Sequence, residues 1–194
     1  ILHRANDSIV HQACESENLD LVKYLINLDE IDITPKEEYT KTILHSACKS
    51  GNLEMVQYIV SFQKININAK DTSNATPLHV SCKLGYYEIA EYLLSLQEID
   101  VNIQNDKNET ALHFAIHYEY IDIVNLLLSH DGIDVSIKGD DKKTALHYAC
   151  EVGNLEIVKL LLKKEELDIC AIDDYNKTLL HYACESGNIE LVQF

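Results

Sequence analysis

The stretch Thr76-Pro77-Leu78-His79-Val80-Ser81-Cys82 decides the fold of this chain, because it recurs through the whole sequence. Each copy places a Thr or Ser three residues before a His, and successive copies are 34 residues apart without a slip. A fixed period of this length is the signature of a repeat array. The copies begin at Ser8, Thr42, Thr76, Thr110, Thr144 and Thr178. We therefore predict one array that spans residues 1–194.

Within each copy the residue order predicts two short helices joined by a tight turn and closed by a hairpin-like tip. The Thr76 hydroxyl can cap the first helix, and Pro77 suits the first helical position. Leu78 precedes Ser81 and Cys82 by three and four residues, which gives one apolar stripe. Most copies then carry a helix-ending glycine and an asparagine that caps the second helix: Gly51, Gly85, Gly153 and Gly187, then Asn18, Asn52, Asn154 and Asn188.

Two copies depart from this pattern, because Glu17 and Glu119 stand where the others have glycine. A left-handed residue other than glycine costs about 1 kcal/mol. We therefore expect these two turns to be looser or differently shaped.

A single helix pair of this kind leaves its apolar stripes uncovered, so neighbouring copies must stack. The motifs resemble the ankyrin-repeat family over the whole chain, although the family's usual period is about 33 residues. The resemblance implies an all-α solenoid of helix-turn-helix units. The motifs that carry it are Thr76-Pro77-Leu78-His79, Thr144-Ala145-Leu146-His147-Tyr148-Ala149, Gly153-Asn154-Leu155-Glu156-Ile157-Val158 and Ile99-Asp100-Val101-Asn102.

Neither end of the chain carries the polar capping repeat that an array needs for solubility. Ile1 aligns within a tip, and Phe194 aligns midway through a second helix. We therefore expect this chain to be part of a longer array.

The balance of 16 basic and 32 acidic residues gives a net charge of −16, which argues against nucleic acid as a partner. No apolar run reaches the roughly 18 residues that a membrane helix needs, so membrane insertion is not expected. The six cysteines recur mostly at core positions, which favours a reducing compartment, the cytoplasm or the nucleus.

His and Cys recur with an H-x-x-C spacing that raises the question of metal binding or nucleophilic catalysis. Stacked helices lie roughly 8 to 10 Å apart, so the pairs of neighbouring repeats are too distant to share one ion. The fourth copy has Ile116 at the cysteine position, which indicates that this position is a small apolar site in the core. His113 and His117 lie four residues apart on one helix, but they provide only two of the four ligands of a zinc site. The resemblance implies a structural role for the histidine. We predict no metal, no cofactor, no catalytic residue and no enzymatic activity, and we expect buried, reduced thiols at Cys48, Cys82 and Cys150.

The resemblance also implies that the first helices and the tips form a concave face that binds a protein or peptide. Aromatic side chains gather in its second half, and acidic tips flank them, so we expect a partner with apolar anchors flanked by basic residues. The candidate contact residues are Phe114, His117, Tyr118, Tyr148, Val152, Tyr182, Asp140, Asp141, Asp174 and Tyr175.

Two alternatives remain open at this point. The rings of Phe114, Tyr148 and Tyr182 could instead pack against each other at the helix seams, since aromatic residues are common in cores as well as in binding sites. The chain could also be a structural spacer within a longer repeat protein that binds no specific ligand on this face.

Overall fold

The computed structural model describes residues 2–28, 42–62, 65–164 and 167–194, with the backbone alone for residues 2–8. The chain divides into two compact units, Ile1–Ile99 and Asp100–Phe194. The described residues of the first unit form α1 (Leu2–Glu15), α2 (Leu19–Ile26), α3 (Ile43–Ser50), α4 (Leu53–Val60), α5 (Pro77–Leu84) and α6 (Tyr87–Leu94).

The second unit has the same order of elements. It comprises α7 (Ala111–His117), α8 (Ile121–Leu128), α9 (Ala145–Glu151), α10 (Leu155–Leu161), α11 (Leu179–Ser186) and α12 (Ile189–Gln193), with a 3₁₀ turn at Asp140–Lys142. Each unit pairs helices in sequence and stacks the first helices of successive repeats, α1 on α3 on α5 and α7 on α9 on α11. The predicted all-α repeat solenoid is confirmed.

The recurring Thr and His build the start of each first helix after the first repeat. The Thr76 backbone N–H donates to His79 Nδ1 at 3.1 Å, and the Thr76 hydroxyl lies 2.8 Å from the same nitrogen. His45 Nδ1 accepts from the Thr42 N–H in the same way, so the ring proton of His45 sits on Nε2, which donates to the carbonyl of Ala75 at 2.9 Å. His45 and His147 therefore cap their own helices and tie them to the following repeat, as the resemblance implied.

The second helices begin at asparagine in four of the repeats. Asn52 Oδ1 accepts from the Met55 N–H at 3.0 Å, and Asn154 Oδ1 accepts from the Ile157 N–H at 3.1 Å. Tyr86 and Tyr120 take this cap position in the other two repeats and make no side-chain cap bond.

The expectation of a different turn shape at Glu17 and Glu119 is wrong. Both residues have a φ of 58°, close to the φ of 73° at Gly153 and Gly187. The Glu119 N–H donates to the Ile116 carbonyl, and the N–H groups of Gly51, Gly153 and Gly187 make the equivalent bond to a cysteine carbonyl. The stacked helices impose the left-handed geometry, and the glutamates adopt it at an energetic cost.

The core of each unit consists of the predicted apolar stripes. Leu78, Leu112 and Leu146 are each 1% exposed, and Ile116 is fully buried. Cys48, Cys82 and Cys150 are buried thiols, which confirms the predicted core positions, and burial raises the pKa of Cys82 to about 12. The remaining free cysteines of the described chain are Cys14, which is buried, and Cys170 and Cys184, which are exposed.

Candidate functional site

The predicted binding face in the second unit consists of α7 and α9 with their C-caps Tyr118 and Val152, of α11, and of the tips at residues 139–143 and 173–177, and we call it the first-helix face. Two of its predicted aromatic residues are buried, because Tyr148 and Tyr182 are each 4% exposed. The Tyr148 ring packs edge-on against His113 at 4.9 Å between centroids, and the Tyr182 ring packs against His147 at 5.6 Å. These rings therefore cover the capping histidine of the preceding repeat and offer little surface to a partner.

The hydroxyl groups of the two buried tyrosines are also engaged. Tyr148 donates to Glu109 Oε1 at 3.1 Å, and Tyr182 donates to Asp173 Oδ2 at 2.6 Å. Burial, followed by the negative charge of Glu109, raises the pKa of Tyr148. The Asp140 N–H in turn donates to the Tyr148 hydroxyl at 3.2 Å, so this ring also holds the tip above it. Both tyrosines are therefore parts of the scaffold.

Lysine side chains cover the outer surface of these rings. Lys143 Nζ lies 3.0 Å from both Glu151 oxygens and 4.9 Å from the Tyr182 ring centroid. Lys177 Nζ binds both oxygens of Glu185, at 2.7 and 2.9 Å, and lies 5.2 Å from the same ring. Sequence reasoning missed these two bridges. Their signal was a lysine directly before the capping threonine and a glutamate eight residues after that lysine.

Repeat four, which begins at Thr110, has no such bridge. Glu109 and His117 occupy the positions of the bridging Lys and Glu. Phe114 and Val152 are half-buried, His117 is exposed, and Tyr118 is 41% exposed. The rings of His117 and Tyr118 meet edge-on at 5.0 Å. On the helices of this face, the exposed aromatic side chains among the predicted contacts are therefore those at the end of α7.

The tips are less acidic than the sequence suggests. Lys107 Nζ lies 3.4 Å from Asp140 Oδ2, and Lys142 pairs with Asp174. The Asp174 N–H donates to the Asp141 carbonyl at 2.9 Å, which links the two tips. Tyr175 is 66% exposed beside them. Lysines thus balance part of the negative charge that was expected to attract a basic partner.

Asp173 belongs to the interior of its tip. Its Oδ1 accepts from the backbone N–H groups of Tyr175 at 2.9 Å and Lys177 at 2.7 Å. Burial alone would raise the pKa of this carboxyl group, but the hydrogen bonds from Tyr182 and the backbone hold it below its ordinary value. Asp173 shapes the tip and is not part of its exposed surface.

Within the described residues, no group of three or more His, Cys, Asp or Glu side chains is arranged to hold a metal ion. In the same part of the chain, every helix is too short or too polar to cross a membrane.

Comparison with protein families identifies three consecutive matches to a model of ankyrin repeats, at residues 2–71, 65–139 and 132–194. A comparison with curated proteins finds no match. Ankyrin repeats are generally protein–protein interaction modules and typically non-enzymatic. With its capping Thr and His, its paired helices and three matches that together run from residue 2 to residue 194, this chain belongs to the ankyrin-repeat family.

Proposed function

We propose that the chain is an interaction module that binds a protein or peptide on the concave side formed by the first helices and tips. The exposed surface at the end of α7 carries this proposal. His117 and Tyr118 present exposed aromatic area, whereas Phe114 and Val152 are half-buried. Rigid rings of this kind lose little side-chain entropy on binding and dominate binding hot spots.

The remaining candidate residues have different roles in the proposal. Asp140, Asp141, Asp174 and Tyr175 form the rim, where exposed ion pairs contribute roughly 0 to 1 kcal/mol each. Tyr148 and Tyr182 hold the face in shape. Replacing Tyr148 by Ala should lower the free energy of unfolding by about 3 kcal/mol, so that variant is unsuitable as a probe of binding.

The test compares capture of partners by the parent chain and by a His117→Ala/Tyr118→Ala double variant. Tyr24→Ala is the matched control, because Tyr24 is 66% exposed on α2, a second helix. Captured proteins are identified by mass spectrometry, and direct binding is then measured by calorimetry. We expect the double variant to bind a direct partner about 1 to 4 kcal/mol more weakly and Tyr24→Ala to bind it like the parent.

Equal affinity of the parent and the double variant for every direct partner would contradict the proposal. The spacer interpretation would then account better for the chain. Circular dichroism and thermal unfolding of each variant separate a loss of contact from a loss of fold.

A further inference from the structure

The turn between α7 and α8 brings three aromatic rings and one carboxylate together on four consecutive residues. We call His117, Tyr118, Glu119 and Tyr120 the Tyr118 corner. The Tyr118 ring meets His117 edge-on at 5.0 Å and stacks with Tyr120 at 6.2 Å, with 20° between the ring planes. Tyr118 is 41% exposed, so the corner presents aromatic surface to solvent.

The carboxylate of this corner is held in place. Glu119 Oε2 accepts from Asn154 Nδ2 at 3.0 Å, and Asn154 is itself fixed as the cap of α10. Glu119 also adopts a φ of 58° at a position where four other repeats have glycine. Since glycine forms the same turn in four other repeats, the carboxylate is not required for the fold of this turn.

The second unit contains an example of a cation that is bound by aromatic rings and a carboxylate together. In repeats five and six, the Lys143 ammonium lies over the rings of Tyr148 and Tyr182, at 5.7 and 4.9 Å from their centroids, while Glu151 binds the same ammonium. In the part of the chain that the structure describes, no lysine or arginine lies over Tyr118 or Tyr120.

We propose that the Tyr118 corner binds an arginine side chain of the partner. A guanidinium group is planar, so its face can stack on the exposed Tyr118 ring. The N–H groups at the edge of the guanidinium then donate hydrogen bonds to the Glu119 carboxylate. The net charge of −16 favours the approach of such a group. This inference rests on the proposed function and names the group that the first-helix face recognises.

The experiment begins with selection of peptides from a random phage-displayed library on the parent chain. The dissociation constants of synthetic copies are measured against the parent and Tyr118→Ala. Each arginine of a peptide is then replaced by Gln and measured against both proteins. We expect one such replacement to weaken binding to the parent by about tenfold and binding to Tyr118→Ala hardly at all.

A second pair of variants separates recognition from stability. Glu119→Gly and Glu17→Gly both relieve a φ of 58°, so Glu17→Gly should raise the melting temperature, whereas Glu119→Gly also loses the hydrogen bond from Asn154 and should unfold close to the parent. Only Glu119→Gly removes the carboxylate of the Tyr118 corner, so only this variant should weaken binding of the arginine peptide. A merely structural role for Glu119 would not give a protein as stable as the parent that binds the arginine peptide less well.

The outcomes distinguish the two proposals. Peptides that depend on Tyr118 but lack a basic residue, or whose arginine shows no coupling to Tyr118 and Glu119, would overturn the arginine site and leave the interaction face standing. A selection whose peptides bind the His117→Ala/Tyr118→Ala variant as tightly as the parent would overturn the interaction face, and the arginine site with it.

Discussion

At the scale of single residues, the turn that follows each first helix needs a left-handed backbone, which a residue with a side chain adopts only with strain. Four repeats have glycine at this position, whereas the other two have Glu17 and Glu119, each with a left-handed backbone and a φ of 58°. The Cβ atom of an L-residue approaches the following carbonyl oxygen in this conformation. These positions are therefore local weak points of otherwise regular repeats.

Replacing Glu17 by Gly should raise the free energy of unfolding by about 1 kcal/mol, because the strain disappears. Gly187→Ala is the reverse control. A Cβ atom there meets nothing within 4 Å, so its cost of about 1 kcal/mol comes from backbone strain alone. Urea titrations of the three proteins measure both values. A Glu17→Gly variant no more stable than the parent would show that the turn carries no strain.

The capping histidine of repeat five, His147, makes stability depend on pH. Burial lowers the pKa of His147 below its ordinary value of 6.5, outweighing the hydrogen bond to the Lys177 carbonyl and nearby Asp173, while Lys143 lowers it further. The folded state therefore binds this proton less readily than the unfolded state. The contribution of neutral His147 is present above pH 6.5 and is lost as the pH falls below that value towards the folded pKa.

The measurement compares the free energy of unfolding at about pH 7.5 and about pH 5.5 in the parent and in His147→Gln. Glutamine can also reach the backbone N–H of the capping residue, but it does not titrate. We expect the parent to lose more stability than the variant over this interval. An identical loss in both proteins would mean that His147 does not contribute to the pH dependence.

At the scale of the helix pair, stability comes from the apolar stripe on each first helix. Leu146 on α9 is 1% exposed because the repeats on either side cover it. The equivalent residue on α11, Leu180, is 57% exposed. The same residue type at the same helical position thus occupies two environments in one protein.

Replacing Leu146 by Ala should lower the free energy of unfolding by about 2 to 5 kcal/mol, since it removes a buried side chain and leaves a cavity. Leu180→Ala should change it by less than about 0.5 kcal/mol. Guanidinium titrations of both variants test the contrast. Similar losses in the two would refute the assignment of the core stripe to stacking between repeats.

At the scale of the whole molecule, the net charge of −16 acts against compaction, because like charges repel one another when the chain folds. Exposed ion pairs such as Lys107–Asp140 and Lys49–Glu15 oppose this effect weakly. We therefore expect the long-range repulsion to outweigh these ion pairs in its effect on stability.

Raising the ionic strength from about 10 mM to about 150 mM shortens the screening length from about 30 Å to about 8 Å. We expect the melting temperature to rise over this range, because repulsion between distant carboxylates is screened. Scanning calorimetry in sodium chloride measures it, and an uncharged osmolyte at equal osmolality serves as the control. A fall in melting temperature would show that the local ion pairs outweigh the repulsion.

The sequence by itself determined the repeat, the two helices within each repeat, the caps of those helices and the buried positions of Leu78 and Cys82. These features follow from local chemistry that a period of 34 residues repeats. Only the tertiary structure decided which aromatic side chains remain accessible. Tyr148 and Tyr118 look alike along the chain, yet Tyr148 fills the space between His113 and its tip, whereas Tyr118 lies at the end of α7 in contact with solvent. The lysines that cover the buried rings and neutralise the tips act across eight residues or between repeats, and their side-chain geometry depends on how the helices stack.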